Sequence, residues 1–204
     1  MGGLLSCTHV ASGLSLSLLL LGVAPAHATL GVAYQMLLGN PSNATADTND
    51  HNHYLIQREV EALDYSDTLR QPNWASWNLT IDDTGDSGRS PNFFVDTNLP
   101  TNFYWVQTTD YVGSGYDRGH MCPSGDRTVS VAINEETFLM SNMIPQAPDS
   151  NQGVWANLEA DCRTLAAAGN EVLITCGPEG FDTNRTASAG EILIRRRANH
   201  DDSA

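Results

Sequence analysis

Residues 116–123 read Tyr-Asp-Arg-Gly-His-Met-Cys-Pro, and the rest of the chain is organised around them. The four positions from Asp117 to His120 hold an acid, a base, a glycine and an imidazole. Histidine is the usual general base near neutral pH, and Gly119 before it would let a substrate backbone approach closely. On these four residues alone, however, the simpler interpretation is a buried, hydrogen-bonded histidine beside a local ion pair between Asp117 and Arg118.

A second polar stretch runs from Asn142 to Glu159. Apolar residues after Asn151 recur at three- and four-residue spacing, which predicts a helix that ends at Gly169. Glu159 lies about 80° around the helix axis from Asn151, so both side chains can face one groove. A helix start favours phosphate, and hydrated Mg²⁺ needs only one or two protein ligands. This stretch therefore favours a catalytic rather than a purely structural His120.

Together these stretches resemble the DNA/RNA non-specific endonuclease family, whose active site is a ββα-metal motif. The matching segments, in the family's order and spacing, are 117–121, 141–146, 151–155 and 158–159, and the similarity extends from about Asn40 to Gly180. The resemblance implies an α+β fold with a mixed or antiparallel central sheet and helices. It also implies an Mg²⁺-dependent endonuclease that hydrolyses phosphodiester bonds of DNA and RNA with little sequence specificity.

The resemblance implies a role for each matching position. His120 would be the general base that activates water for attack on phosphorus. Asn151 would bind Mg²⁺ directly and Glu159 would reach the ion through water, with Mn²⁺ as an expected substitute. Asn142 matches an active-site amide of the family pattern and is expected to position the site.

Two arginines complete the site that the resemblance implies. Arg118 lies inside the motif, and Arg89 lies in a loop rich in Asp, Gly and Ser. Arg89 matches an arginine that stabilises the phosphorane-like transition state, and both would add fixed positive charge. Contacts to phosphate carry no sequence information, so low specificity is expected.

The C-terminal end departs from the family pattern. Family members generally continue past the strand near Ile192 with more sheet, whereas here Arg195-Arg196-Arg197 and a polar tail follow. We expect a nuclease domain over 29–194 and a polar tail over 195–204, with the C-terminal sheet shortened as in a truncated or frameshifted product. Two alternatives stay open: an inactive remnant that at most binds nucleic acid or a partner, and a metal-dependent phosphodiesterase for small substrates.

Residues 1–28 predict a secretory signal peptide. An apolar run from Leu14 to Val23 ends at Ala26-His27-Ala28, a small-x-small cleavage pattern, and the run is too short to span a membrane in the mature protein. The run lacks the preceding Lys or Arg that such signals usually carry. We expect a secreted or periplasmic protein that has no membrane association after cleavage.

The chain carries a formal net charge of −14, and its ten basic residues are all arginine. A field of this sign does not steer a protein to nucleic acid. Binding of DNA and RNA would therefore depend on the cation and on a local group of arginines.

Apolar and alternating patterns predict strands at 54–56, 62–65, 73–79, 103–106, 172–176 and 192–194. The strand at 73–79 carries Trp74 on one face and Trp77 on the other, which predicts a sheet covered on both sides.

Cysteine and histidine usage leaves alternatives open. Cys122, Cys162 and Cys176 either form one disulfide with one thiol left over or remain three buried free thiols. His51 and His53 beside Asp50 are a candidate metal site, although polar loops often carry solvated histidines.

Overall fold

A computed structural model of the chain describes residues 34–182 and 185–196. The predicted signal peptide and the tail from residue 197 onward lie outside the described residues. The described helices and strands are β1 (Tyr54–Gln57), β2 (Ala62–Ser66), β3 (Gln71–Leu79), β4 (Asp117–His120), α1 (Val131–Glu136), β5 (Met143–Gln146), α2 (Ala156–Ala167), β6 (Asn170–Asp182) and β7 (Arg185–Arg196). The domain boundary predicted at residue 194 therefore falls inside β7.

The central sheet has the strand order β1-β2-β3-β6-β7, and each neighbouring pair is antiparallel. This resolves the expectation of a mixed or antiparallel sheet in favour of the antiparallel one, and the α+β class is confirmed. Strand β3 lies in the middle, where Ala75 pairs with Leu63 of β2 on one side and with Cys176 of β6 on the other.

Both faces of the central sheet are covered, as the two tryptophans of β3 predict. Trp77 is 2% exposed and packs in the main core with Met121 and Cys162. On the opposite face Trp74 is also buried, and its indole N–H donates to the Ser42 hydroxyl over 2.8 Å. The face that carries Trp77 is the one on which the candidate site is built.

Strands β4 and β5 form a separate two-stranded antiparallel sheet, and a helix follows. The predicted helix from Asn151 is present, but its first turn, Ser150–Trp155, is π-helical before α2 begins. Gly169, at φ +88°, ends it in the left-handed conformation that glycine adopts without strain. The order β4, β5, helix is the ββα arrangement that the resemblance implies.

The strand predicted at 103–106 is wrong. Phe103 and Val106 are buried, which explains the apolar pattern, but the segment has no strand pairing. Its backbone is held by carboxylates instead: Tyr104 N–H donates to Asp67 over 2.6 Å, and Gln107 N–H donates to Asp110 over 2.8 Å.

The structure settles two sequence alternatives. Cys122, Cys162 and Cys176 are buried free thiols. His51 and His53 bind the carboxylates of Asp67 and Asp64, and residues 34–182 and 185–196 contain no group of three potential metal-binding His, Cys, Asp or Glu side chains. Among the same residues, no helix combines the length and the apolar character needed to cross a membrane.

Candidate active site

The pairing of β4 with β5 places His120 opposite Met143 and Asp117 opposite Gln146. Gly119 lies against the buried side chain of Gln146, where an added Cβ would sit 2.6 Å from the Gln146 Cβ. The expectation that Gly119 admits a substrate backbone is therefore corrected: the glycine lets the two strands pack around Gln146.

His120 is 7% exposed, and its ring packs edge-on against Phe138 with 4.8 Å between centroids. Its Nε2 atom is buried without a hydrogen-bond partner among the described residues. Burial, followed by the positive charges of Arg89 and Arg118, lowers the pKa of His120 from 6.5 to about 3. The imidazole is thus neutral near pH 7, with a free nitrogen able to accept a proton.

The pKa values of His120 and His53 are expected to be shifted in opposite directions. By NMR of the metal-free protein, the His120 ring should keep its neutral signature down to about pH 5. His53 should take up its proton at a higher pH than a free imidazole does, because its hydrogen bond to Asp64 raises its pKa above 6.5. The unfolded chain binds a proton at His120 that the folded chain rejects, so this group lowers stability increasingly as the pH falls from 6.5 towards 3. A titration midpoint near pH 6.5 for His120 would contradict the conclusion that this imidazole is buried and neutral.

Asn142 lies outside the cavity and is fully buried. Its Oδ1 accepts from the Cys122 N–H over 3.0 Å, and its Nδ2 donates to the carbonyls of Cys122 and Thr137, each over 2.9 Å. Both polar atoms are therefore used by the backbone. Asn142, which the resemblance implies to be an active-site amide that positions the site, fixes the chain just after His120 and is not brought to the cavity.

Asn151 lies in the π-helical turn and faces the cavity next to His120. Its Nδ2 donates to Asp117 over 2.9 Å, and Gln152 donates to the same carboxylate oxygen over 2.8 Å. An amide held by its nitrogen points its oxygen the other way, which leaves Oδ1 of Asn151 available as a ligand. Asp117 therefore binds these two amides rather than forming the local ion pair with Arg118 that the structural interpretation required.

Glu159 follows on α2 and lines the same cavity, as its spacing from Asn151 predicts. Burial, and then the nearby charge of Asp126, raise the pKa of Glu159 to about 7. Arg163 opposes this rise from one turn further along, 4.0 Å from the Glu159 carboxylate. Because a carboxyl group must lose its proton to act as a cation's ligand, cation binding at Glu159 would compete with protonation near pH 7.

The arginines divide into two groups. Of the six arginines with described side chains, Arg58, Arg127 and Arg163 have carboxylate partners. The other three have none within 4.0 Å among the described residues and stack on aromatic rings instead: Arg118 on Phe93, Arg89 on Phe138 and Arg70 on Tyr104. Arg89 also donates to the Ser124 hydroxyl over 2.6 Å. A stacked guanidinium keeps its edge N–H groups free for an anion.

These side chains converge on a cavity of about 390 Å³, lined by Arg89, Arg118, His120, Asn151, Glu159 and Arg163 among others. Five of the six sequence-predicted site residues are thus brought together, and Asn142 is the exception. Sequence reasoning missed Arg163, although its position four residues after Glu159 on a helix signals the same face. It also missed Phe93 and Phe138, whose rings pack against His120 and stack with Arg118 and Arg89.

The sequence profile of the DNA/RNA non-specific endonuclease family matches residues 39–195. The chain belongs to this family. The match covers every residue named in the cavity and the whole of the two-stranded sheet and helix.

Comparison with individual proteins supports this family membership. A nuclease of Nostoc sp. is 43% identical over 149 residues, which cover 73% of this chain and 54% of the relative. The mitochondrial nuclease EXOG of Homo sapiens is 38% identical over 119 residues, which cover 57% of this chain and 32% of the relative. A chain in the crystal structure of the EndoG/EndoGI complex superposes with a TM-score of 0.60 at 29% identity, over 81% of this chain and 65% of that chain. The chain thus spans about half or less of these curated relatives.

Proposed function

We propose that the chain is a metal-dependent endonuclease that hydrolyses phosphodiester bonds in DNA and RNA with little sequence specificity. One observation carries the proposal: a buried neutral imidazole, two arginines stacked on aromatic rings and an amide held by a carboxylate meet in a single cavity. Membership of the family supports the same reaction.

In this reaction His120 accepts the proton of the attacking water at Nε2. The atom has no competing hydrogen bond among the described residues, and the depressed pKa keeps it unprotonated. General-base catalysis of this kind contributes about 10²–10⁴ in rate. The packing of the ring on Phe138 fixes its orientation, so little of this contribution is lost to motion.

The residues of the cavity fit Mg²⁺, for which Mn²⁺ can substitute. The Asn151 oxygen would be the direct ligand, and Glu159 would hold one of the bound waters. A single amide and a carboxylate suit a hydrated hard cation, and the cysteines, which would attract softer metals, are buried in the core elsewhere. When bound, the cation neutralises charge on the scissile phosphate and on the leaving 3′ oxygen.

Arg89 and Arg118 would bind the non-bridging oxygens of the scissile phosphate and stabilise the charge that grows there. Their positions are set by Phe138, Phe93 and Ser124 before substrate arrives. Because these contacts address phosphate alone, the proposed site accepts DNA and RNA without sequence preference.

The experiment is cleavage of supercoiled plasmid and of RNA by the purified full-length chain. We expect cleavage of both with Mg²⁺, complete loss with EDTA and recovery when Mg²⁺ is restored. A folded protein that cleaves neither substrate at any Mg²⁺ concentration would contradict the proposal and favour the inactive remnant. Faster turnover of bis-p-nitrophenyl phosphate than of plasmid would instead favour a phosphodiesterase for small substrates.

Replacing Asp117 by alanine is expected to raise the Mg²⁺ concentration needed for half-maximal cleavage by about 10–100-fold. The change removes the acceptor that orients the Asn151 amide, without touching His120 or the arginines. Asp149→Ala is the matched control, because among the described residues this exposed carboxylate accepts a hydrogen bond only from the Ser150 N–H on the same turn. An unchanged Mg²⁺ requirement in the Asp117 variant would show that Asn151 does not depend on it.

We also propose that the protein is exported to the periplasm or the medium after removal of residues 1–28. The support is the apolar run and the cleavage pattern in the sequence. Mass spectrometry of the protein recovered from these fractions should give an N-terminus at Thr29. Recovery only of a cytoplasmic chain that begins at Met1 would overturn this proposal.

A further inference from the structure

A second cleft adjoins the catalytic cavity on the side of Arg118. It measures about 160 Å³ and is lined by Thr108, Tyr111, Val112, Tyr116, Asp117 and Arg118. Arg118 lines both spaces, so they meet at this residue. A phosphate held by Arg118 in the catalytic cavity therefore lies next to this cleft.

Two tyrosines and a valine line the cleft together with Thr108, Asp117 and a single cation, Arg118. Tyr111 and Tyr116 are partly buried, and Val112 at the rim is 80% exposed. Asp117, which also lines the cleft, accepts hydrogen bonds from Asn151 and Gln152. An aromatic wall beside a single arginine offers little to a second phosphate, but it suits a flat, partly apolar ring.

The loop that carries these walls is held in place by its own hydrogen bonds. The Ser114 hydroxyl donates to the Tyr111 carbonyl over 2.8 Å and accepts the Tyr116 N–H over 3.1 Å. Gly113 and Gly115 take the left-handed backbone that the tight loop requires, at φ +74° and +81°. Little ordering is thus needed when a ligand enters, which reduces the entropic cost of binding.

We propose that this tyrosine cleft binds the nucleobase of a nucleotide that adjoins the scissile phosphate. The inference rests on the proposed nuclease function. A base is joined to its phosphate through one sugar, so a phosphate bound by Arg118 leaves a neighbouring base within reach of a cleft that Arg118 also lines. Every base has a π-face, so stacking on tyrosine orients the strand without selecting a sequence.

The test uses short oligonucleotides with one phosphodiester flanked by uncharged methylphosphonates, so that cleavage occurs at a single place. Three substrates are compared: one with both neighbouring bases, one abasic on the 5′ side and one abasic on the 3′ side. For the wild type we expect kcat/KM to fall roughly 5- to 100-fold when the base on one of the two sides is removed. Equal kcat/KM for all three substrates would overturn the proposal.

The variants locate the effect in the cleft. Tyr116→Ala should lose the same factor on the intact substrate and become insensitive to the missing base, whereas Tyr116→Phe, which keeps the ring, should keep the wild-type preference for the substrate that carries the base. If Tyr116→Ala does not fold, Val112→Asp replaces it, since a carboxylate at this exposed rim should repel the strand and raise KM. A folded Tyr116→Ala protein that still prefers the base, or a Val112→Asp protein with unchanged KM, would place the base elsewhere. Plasmid cleavage by the wild type is scored separately, and its absence would overturn the proposed function itself.

Discussion

Replacing His120 by alanine is expected to lower the rate of plasmid cleavage by about 10²–10⁴-fold. The loss follows from the environment of the ring: Nε2 is its free acceptor, burial keeps it neutral, and Phe138 fixes it in the cavity. The measurement is the initial rate of conversion of supercoiled to nicked plasmid at saturating Mg²⁺. Circular dichroism of the same sample establishes that the variant is folded.

His53→Ala is the control for this experiment. It removes a half-exposed imidazole that binds Asp64 and does not line the cavity. The rate of plasmid cleavage should therefore stay within a small factor of the wild-type rate. Equal rates for the His120→Ala variant and the wild type would remove His120 from its assigned role while leaving the nuclease function standing.

Replacing Asn142 by alanine is expected to cost several kcal/mol of folding free energy. The change leaves the Cys122 N–H and the carbonyls of Cys122 and Thr137 without partners in a buried site. Each such group costs about 1–3 kcal/mol, against a total stability of about 5–15 kcal/mol for a typical domain. Thermal unfolding followed by circular dichroism should show a midpoint lower by on the order of 10 °C.

Two further variants make the test of Asn142 specific. Asn142→Asp keeps the acceptor for the Cys122 N–H but loses both donated bonds, so it should be destabilised as well. Asn157→Ala, on the exposed side of α2, should change stability by no more than about 0.5 kcal/mol. A stable Asn142→Ala protein with reduced kcat and unchanged KM would instead mean that the amide acts in the chemistry.

The cavity could be predicted from the sequence to the extent that its residues follow from local order. The spacing of Asn151 and Glu159 on a helix is such a local property, whereas the strand that ends at His120 was not among the predicted strands. The bond between Asp117 and Asn151 joins a strand to a π-helical turn across 34 positions of sequence. This hydrogen bond forms only because the two elements pack together. From the sequence alone, Asp117 could equally have been the ion-pair partner of Arg118.

Contacts between distant parts of the chain also explain why two predictions about the backbone were wrong. Residues 103–106 carry a strand's apolar pattern, but a distant side chain, Asp67, takes the hydrogen bond that a neighbouring strand would have taken. Gly119 suggested room for a substrate, whereas the neighbouring strand fills that room with Gln146. In both cases a tertiary contact decided what a local pattern left open.

The three arginines that stack on rings instead of pairing with carboxylates affect how the protein would bind a polyanion. Two of them line the cavity, so the arginines with described side chains would replace the counterions of only about two or three phosphates. Their contribution to the slope of the logarithm of the affinity for B-DNA against the logarithm of salt concentration should be only about −2 to −3. Rising ionic strength also screens the repulsion from the chain's net charge of −14. We therefore expect binding to persist at ionic strengths that detach basic nucleases from their substrate.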